Sequence, residues 1–149
     1  MSARAAFVDT YLAYLLARSS HLISSEFHAV VQANGLSLME WRVMASLKGK
    51  EHLSIGELAD IVLAQQPTVT KLVGRMAASG WLEREDAPHD KRQSLVRLTS
   101  AGEQKVQPLI LQALAHEAQV VAQLGSAETA QLKHLLEKLI AQGGTATPD

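Results

Sequence analysis

Gln65, Gln66, Thr68, Thr70, Lys71 and Arg75 lie close together in the chain and carry side chains suited to the edges of DNA bases. Gln pairs bidentately with adenine, Arg and Lys pair with guanine, and a Thr methyl packs on thymine. Interleaved with them, Val69, Leu72, Val73 and Met76 stand at i, i+3, i+4 and i+7, the spacing that turns one face of a helix toward a core. The polar set is then left on the outer face. An ordinary solvated helix would show the same pattern, so the flanking residues decide. Ahead of this segment, Ser54-Ile55-Gly56-Glu57-Leu58-Ala59 opens a shorter helix; behind it, Trp81-Leu82-Glu83-Arg84 starts a strand and Leu95-Val96-Arg97-Leu98-Thr99 returns. A short helix, a turn, a second helix with a polar face and a basic hairpin are the parts that enter a major groove and reach the neighbouring backbone or minor groove.

Asp90-Lys91-Arg92 falls at the expected hairpin tip. Residues two apart on a tight hairpin point the same way, so the Asp90 carboxylate can hold the Arg92 guanidinium extended toward a narrow minor groove or a phosphate. Lys91 completes the wing-tip candidates. The plain alternative is a surface ion pair worth ~0–1 kcal/mol.

The elements that must position these groups are legible from caps and periodicity. A first helix is expected from about Ala5 to Gln32, with Val8, Leu12, Leu15, Leu22 and Val30 on one apolar stripe and Phe7, Tyr11 and Tyr14 on a second. Two apolar faces imply one contact within its own domain and one with a partner. Asn34-Gly35 ends it. Three Ser-x-x-Glu sequences, at Ser37, Ser54 and Ser100, read as capping boxes, in which hydroxyl and carboxylate satisfy orphan amides reciprocally. The helix from Leu38 to Leu47 is expected to bury Trp41, Met44 and Leu47. Pro67 fits only the first turn of its helix. Two more helices run from Ser100 to about Leu124, bent locally at Pro108, and from Ser126 to about Gln142, with Leu132, Leu135, Leu136 and Leu139 as an apolar face. Residues 143–149 read as a disordered tail.

The 149 residues suit one domain with a real core, and a 47% apolar fraction with few aromatics suits helices packed on helices. No apolar run approaches about 18 residues and no signal segment precedes the first helix, so a cytoplasmic protein without a membrane association is expected. The absence of cysteine excludes disulfides and thiolate chemistry. Net charge is −1, but residues 65–97 hold Lys71, Arg75, Arg84, Lys91, Arg92 and Arg97 against Glu83, Glu85, Asp86 and Asp90, a local +2 against −3 elsewhere. Such a chain should bind DNA weakly without specificity and rely on a shaped surface. No Gly-rich phosphate loop, Gly-x-Ser-x-Gly turn or triad-like set of Ser, His and Asp supports an enzyme, and no motif calls for a cofactor. A winged helix used only for protein contacts would need neither the polar helix face nor the Asp90–Arg92 pair.

From Ser54 through Gly102, and above all at Asp90-x-Arg92-x-x-x-Val96-x-Leu98-Thr99-x-x-Gly102, the sequence resembles the MarR family of bacterial transcription regulators. The likeness extends to Gly35-Leu36-Ser37, Glu40-Trp41-Arg42-Val43-Met44, Thr68-Val69-Thr70-Lys71-Leu72-Val73 and Gly80-Trp81-Leu82. The resemblance implies a mainly α fold with a small β-hairpin wing: a winged helix-turn-helix region at 36–99 and a helical dimerisation region at 1–35 and 100–142. It further implies a homodimer on a palindromic double-stranded DNA operator, usually a repressor relieved by a small ligand. Arg92 would be the wing-tip contact and Asp90 its positioning partner, with Gln65, Gln66, Thr68, Thr70 and Lys71 reading the groove. The absent cysteine excludes peroxide sensing, and Gln65-Gln66-Pro67 is an unusual start for the family's recognition helix, with a faint link to aromatic-acid or nicotinate catabolism.

For the regulatory ligand, Arg18, His21, Trp41 and His116 offer a cation, hydrogen-bond partners and an aromatic wall, as a small organic anion such as an aromatic carboxylate needs. Arg18 and His21 are i, i+3 on the first helix and can converge; the alternative is that Trp41 is core and Arg18 a surface or dimer contact. A second possibility is zinc on His21 or His28 with His116, near Glu26 and Glu117. No tight His-x-x-His or His-x-x-x-His spacing supports it, and no metal ligand is assigned.

Overall fold

Two of the three Ser-x-x-Glu sequences cap helices as expected. At α3 (Leu38–Leu47), the Glu40 amide donates to Ser37 Oγ at 3.1 Å and the Ser37 amide to Glu40 Oε2 at 2.8 Å. At α4 (Ile55–Val62) the same pair of bonds, 3.1 and 2.7 Å, joins Ser54 and Glu57, and Ser54's hydrogen bonds hold the Glu57 carboxyl below the usual carboxylate range. The third differs. α6 (Ser100–Leu124) starts at Ser100 itself, and Thr99 acts as its cap, its Oγ1 accepting the Gly102 amide at 3.0 Å. Glu103 pairs with Lys48 at the end of α3 instead. A long-range ion pair and the Thr99 bond to Gly80 O, 2.6 Å, outweigh the local box.

The computed structural model describes residues 5–143, and at 90–92 the backbone alone. The remaining elements are α1 (Phe7–Thr10), α2 (Leu12–Ala33), β1 (Leu53–Ser54), α5 (Gln66–Ala78), β2 (Leu82–Ala87), β3 (Asp90–Leu98) and α7 (Ser126–Gly143). The strands form an antiparallel sheet in the order β1-β3-β2, with Leu53 opposite Val96 and Leu82 opposite Leu98. β1 was not foreseen, because two residues carry no alternation to read. The hairpin also differs: its turn is Pro88-His89, and Asp90 through Arg92 already belong to the returning strand.

The single first helix is in fact two, broken at Tyr11, whose backbone is extended (φ −76°, ψ 113°). Asp9 closes the short α1 turn by accepting the Ala6 amide at 2.9 Å, and Phe7 stacks on Tyr11 with centroids 4.7 Å apart. In α2 only Phe27 and Val31 are buried; Phe7, Val8, Tyr11, Leu12, Tyr14, Leu15 and Leu22 all stay exposed. The stripe expected to serve the chain's own core is therefore mostly open. Trp41 is half-buried rather than core, tilted against Phe27 at 5.4 Å, while Val43, Met44 and Leu47 supply the inner face of α3.

The chain divides into two compact units, Met1–Gln112 and Ala113–Asp149. The first unit's core gathers Val31, Met44, Leu58, Val69, Met76, Val96 and Leu109. In the second, Gly125 (φ 103°) turns the chain between α6 and α7, and Lys133 pairs with Glu117 at 2.9 Å. Pro108 lies inside α6 without ending it. No residue of α7 is buried, and Leu132, Leu135 and Leu139 are exposed. Gly143 still belongs to α7, and the rest of the expected tail lies outside the described residues.

One junction ties the helix-turn-helix to the wing. Gly80 (φ 84°) ends α5, where the Trp81 amide donates to Met76 O at 3.1 Å. The Thr99 amide returns to Trp81 O at 3.0 Å. Gly102 lets α6 start against that same carbonyl: a Cβ there would stand 2.1 Å from Trp81 O. Backbone cannot give way as a side-chain tip does. Gly102→Ala is accordingly expected to destabilise the fold by about 1–3 kcal/mol. Thermal unfolding checks this, and an unchanged melting temperature would mean that the α6 start moves freely.

Candidate nucleic-acid interface

α5 meets the core as its spacing demands, with Val69, Leu72, Val73 and Met76 buried. Gln65, Gln66, Thr68, Lys71 and Arg75 are exposed and Thr70 is half-buried. Gln65 precedes the helix with extended backbone, Pro67 sits in the first turn, no side chain caps this end and no acid stands in the first turn. The positive end of the helix dipole and its orphan amides are thus left open, a front that favours anionic groups. Leu63 makes the turn between α4 and α5 in the left-handed region (φ 59°), and its side chain is exposed.

Five of the six reading candidates separate into two sets, with Gln65 in neither. Thr68, Lys71 and Arg75 line one open groove along the outer face, together with Gly74 and Ala78. Those two small residues keep the helix surface low, and a Cβ added at Gly74 would meet nothing within 4 Å. Sequence reasoning attended to the polar residues and missed this shape. Gln66 and Thr70 instead look toward α4 and the wing, where they share a polar cleft with Ser54, Arg84, Gln93 and Ser94. Gln66 Nε2 lies 3.4 Å from the position a Gly56 Cβ would take.

The sheet register sorts the wing's described charges. Glu83 faces Arg97 across the strands, and Arg97 donates from Nε at 2.7 Å and Nη2 at 2.5 Å to Glu83 Oε2. That bond raises the pKa of an already permanent cation and spends its charge within the wing. Arg84 faces Val96, which is fully buried, so Arg84 lies on the opposite face, toward the helices. Asp90, Lys91 and Arg92 open β3, but their side chains lie outside the described residues.

The ligand candidates are less concentrated. Arg18 and His21 are exposed on α2, Trp41 is half-buried on α3, and His116 belongs to the other compact unit. Within the first unit a groove of about 430 Å³ runs beside Trp41, lined also by Ser20, Ser24, Arg42, Ser46 and Ile61. Arg18 and His21 do not line it; Arg42, adjacent in sequence to Trp41, is the cation that does. Among the described residues no group of three or more His, Cys, Asp or Glu side chains is placed to hold a metal ion, so nothing supports zinc on His21, His28 and His116. Also among the described residues, no helix is long and apolar enough to cross a membrane.

The architecture has close counterparts. A MarR family transcriptional regulator from Silicibacter pomeroyi superposes with a TM-score of 0.81 at 36% identity, over 92% of this chain and 98% of that one. The chain belongs to the MarR family. The family's sequence model matches residues 34–93, the span from the end of α2 through the wing turn. The homoprotocatechuate degradative operon repressor of Escherichia coli is 28% identical over 138 residues, 93% of this chain and 92% of that protein. Bordetella bronchiseptica BpsR, whose DNA binding is regulated by 6-hydroxynicotinic acid, shares the fold at a TM-score of 0.76 and 22% identity, over 97% of this chain and 100% of that one. MarR proteins are transcriptional regulators that bind DNA operators, and homodimers and ligand response are typical of them.

Lys71→Ala, on the open face of α5, is expected to cut the preference for a selected operator over mixed-sequence DNA by about tenfold or more, the value of a good bidentate base contact. Fluorescence anisotropy on both duplexes checks this, and equal losses on the two would assign Lys71 to the backbone instead.

Proposed function

We propose that this protein is a dimeric repressor that reads a palindromic operator with α5 and its wing and releases it when a small aromatic acid-like effector binds. The observation that carries the reading is the outer face of α5: polar side chains exposed along its length, an uncapped front, and a wing folded beside it. Gln65, Gln66, Thr68, Thr70, Lys71 and Arg75 would contact the major groove, and Asp90, Lys91 and Arg92 the wing-side backbone or minor groove.

Dimerisation is supported by the apolar side chains that each unit leaves open: Phe7, Leu12 and Leu15 in the first, Leu132, Leu135 and Leu139 in the second. Apolar surface on that scale marks an interaction site more often than a monomer's exterior. The effector class is supported by the groove beside Trp41, where an aromatic wall, the Arg42 cation and serine hydroxyls suit a flat carboxylate. In the dimer, Arg18 and His21 would complete the set. The homoprotocatechuate repressor, similar over most of its length, supports an effector from aromatic-acid catabolism, and the fold shared with BpsR keeps a nicotinate-like acid in view.

Arg92→Ala is expected to weaken operator binding at least tenfold, about 1.4 kcal/mol or more, with dimerisation and melting temperature unchanged; full affinity would remove the wing tip from the mechanism. Homoprotocatechuate or 6-hydroxynicotinate added to the operator complex is expected to release the duplex, and Trp41→Ala to blunt that release. Release unaffected by Trp41→Ala would place the effector elsewhere.

A further inference from the structure

Between α5, the first turn of α4 and the wing lies a cleft of about 260 Å³ walled by Ser54, Gln66, Thr70, Arg84, Gln93 and Ser94. Each of these side chains can donate a hydrogen bond, and Arg84 is a permanent cation. Among the described residues no carboxylate lines the cleft. Three acids adjoin cleft residues in sequence: Glu57 is engaged by the Ser54 amide at 2.7 Å, Glu83 by Arg97, and Glu85 alternates with Arg84 onto the other face of the strand. Ser54 Oγ accepts the Glu57 amide and keeps its own proton to donate.

The two described wing arginines differ in what they have left to offer. Arg97 is tied to Glu83 on the far face of the sheet. Arg84, opposite Val96 on the face toward the helices, has no ion-pair partner among the described residues. A guanidinium without an ion-pair partner among the described residues, in a cleft lined otherwise by neutral groups, has the chemistry of an anion seat. The cleft also opens beside the uncapped front of α5.

We propose that this cleft seats one backbone phosphate of the DNA duplex, with Arg84 as its charge partner and Ser54, Gln93 and Ser94 as neutral donors. Resting on the DNA-binding reading above, it gives Arg84 a positioning role: the seat fixes the duplex between α5 and the wing and carries no sequence information. Gln65, Thr68, Lys71 and Arg75, outside the cleft, are left to discriminate bases.

The test is the salt dependence of binding by Arg84→Gln, read by anisotropy on a selected operator and on a mixed-sequence duplex of about 30 base pairs. Each phosphate neutralised contributes about 0.9 to the slope of log affinity against log salt, so two copies on one duplex should lose about 1.8. Both duplexes are expected to weaken by the same factor, Arg84→Lys to keep the slope, and Arg97→Gln to leave it unchanged. A slope unaltered by Arg84→Gln, or a loss confined to the operator, overturns the phosphate seat while leaving DNA binding intact. Wild-type protein that binds neither duplex would overturn the DNA-binding reading, and the seat with it.

Discussion

The carbonyl of Trp81 occupies the space that a side chain at residue 102 would need, and the geometry of the whole DNA-facing surface depends on that approach. The same carbonyl accepts the Thr99 amide, and Thr99 Oγ1 bridges from Gly80 O to the Gly102 amide. The end of α5, the start of β2, the end of β3 and the start of α6 therefore meet at one knot of hydrogen bonds made by main chain and the Thr99 hydroxyl. Lys105 adds to it, lying 5.6 Å from the Trp81 ring centroid while donating to Asn34 O at 2.8 Å. Two surfaces that grip one duplex must keep a fixed spacing, and here the spacing between α5 and wing is set by main-chain contacts, which deform less than side chains do.

The division between what the sequence tells and what it withholds follows the range of the interactions. The caps at Ser37 and Ser54 involve partners three residues apart, so the text of the chain contains them whole. At Ser100 the same text misleads, because Glu103 finds Lys48 and Thr99 finds Gly80, both distant in sequence. The inner face of α5 is legible from period alone, since Val69, Leu72, Val73 and Met76 have one core to meet. The outer face is not. Which of its polar residues faces open solvent and which faces the wing depends on a strand register that no local pattern fixes. Arg84 went unassigned for that reason, and so did Arg42 beside Trp41. The apolar stripes of the first helix were visible, but period cannot tell a face that meets its own core from one left exposed.

Charge is distributed in keeping with a reader of sequence more than a general DNA binder. With a net charge of −1, the chain has little long-range attraction for a polyanion, and one wing arginine is already neutralised by Glu83. Affinity must then come from a few well-placed contacts. Such contacts hold only where the surface shape fits, and shape makes a modest charge selective.

Selection of binding sites from a pool of random duplexes tests the central claim most directly. Rapid enrichment is expected of one palindrome whose half-sites are centred about 10 base pairs, or a multiple, apart, one per recognition helix of a two-fold dimer. A pool that stays random after repeated rounds, or that converges on an asymmetric single site, would contradict a dimeric operator reader built on α5 and its wing.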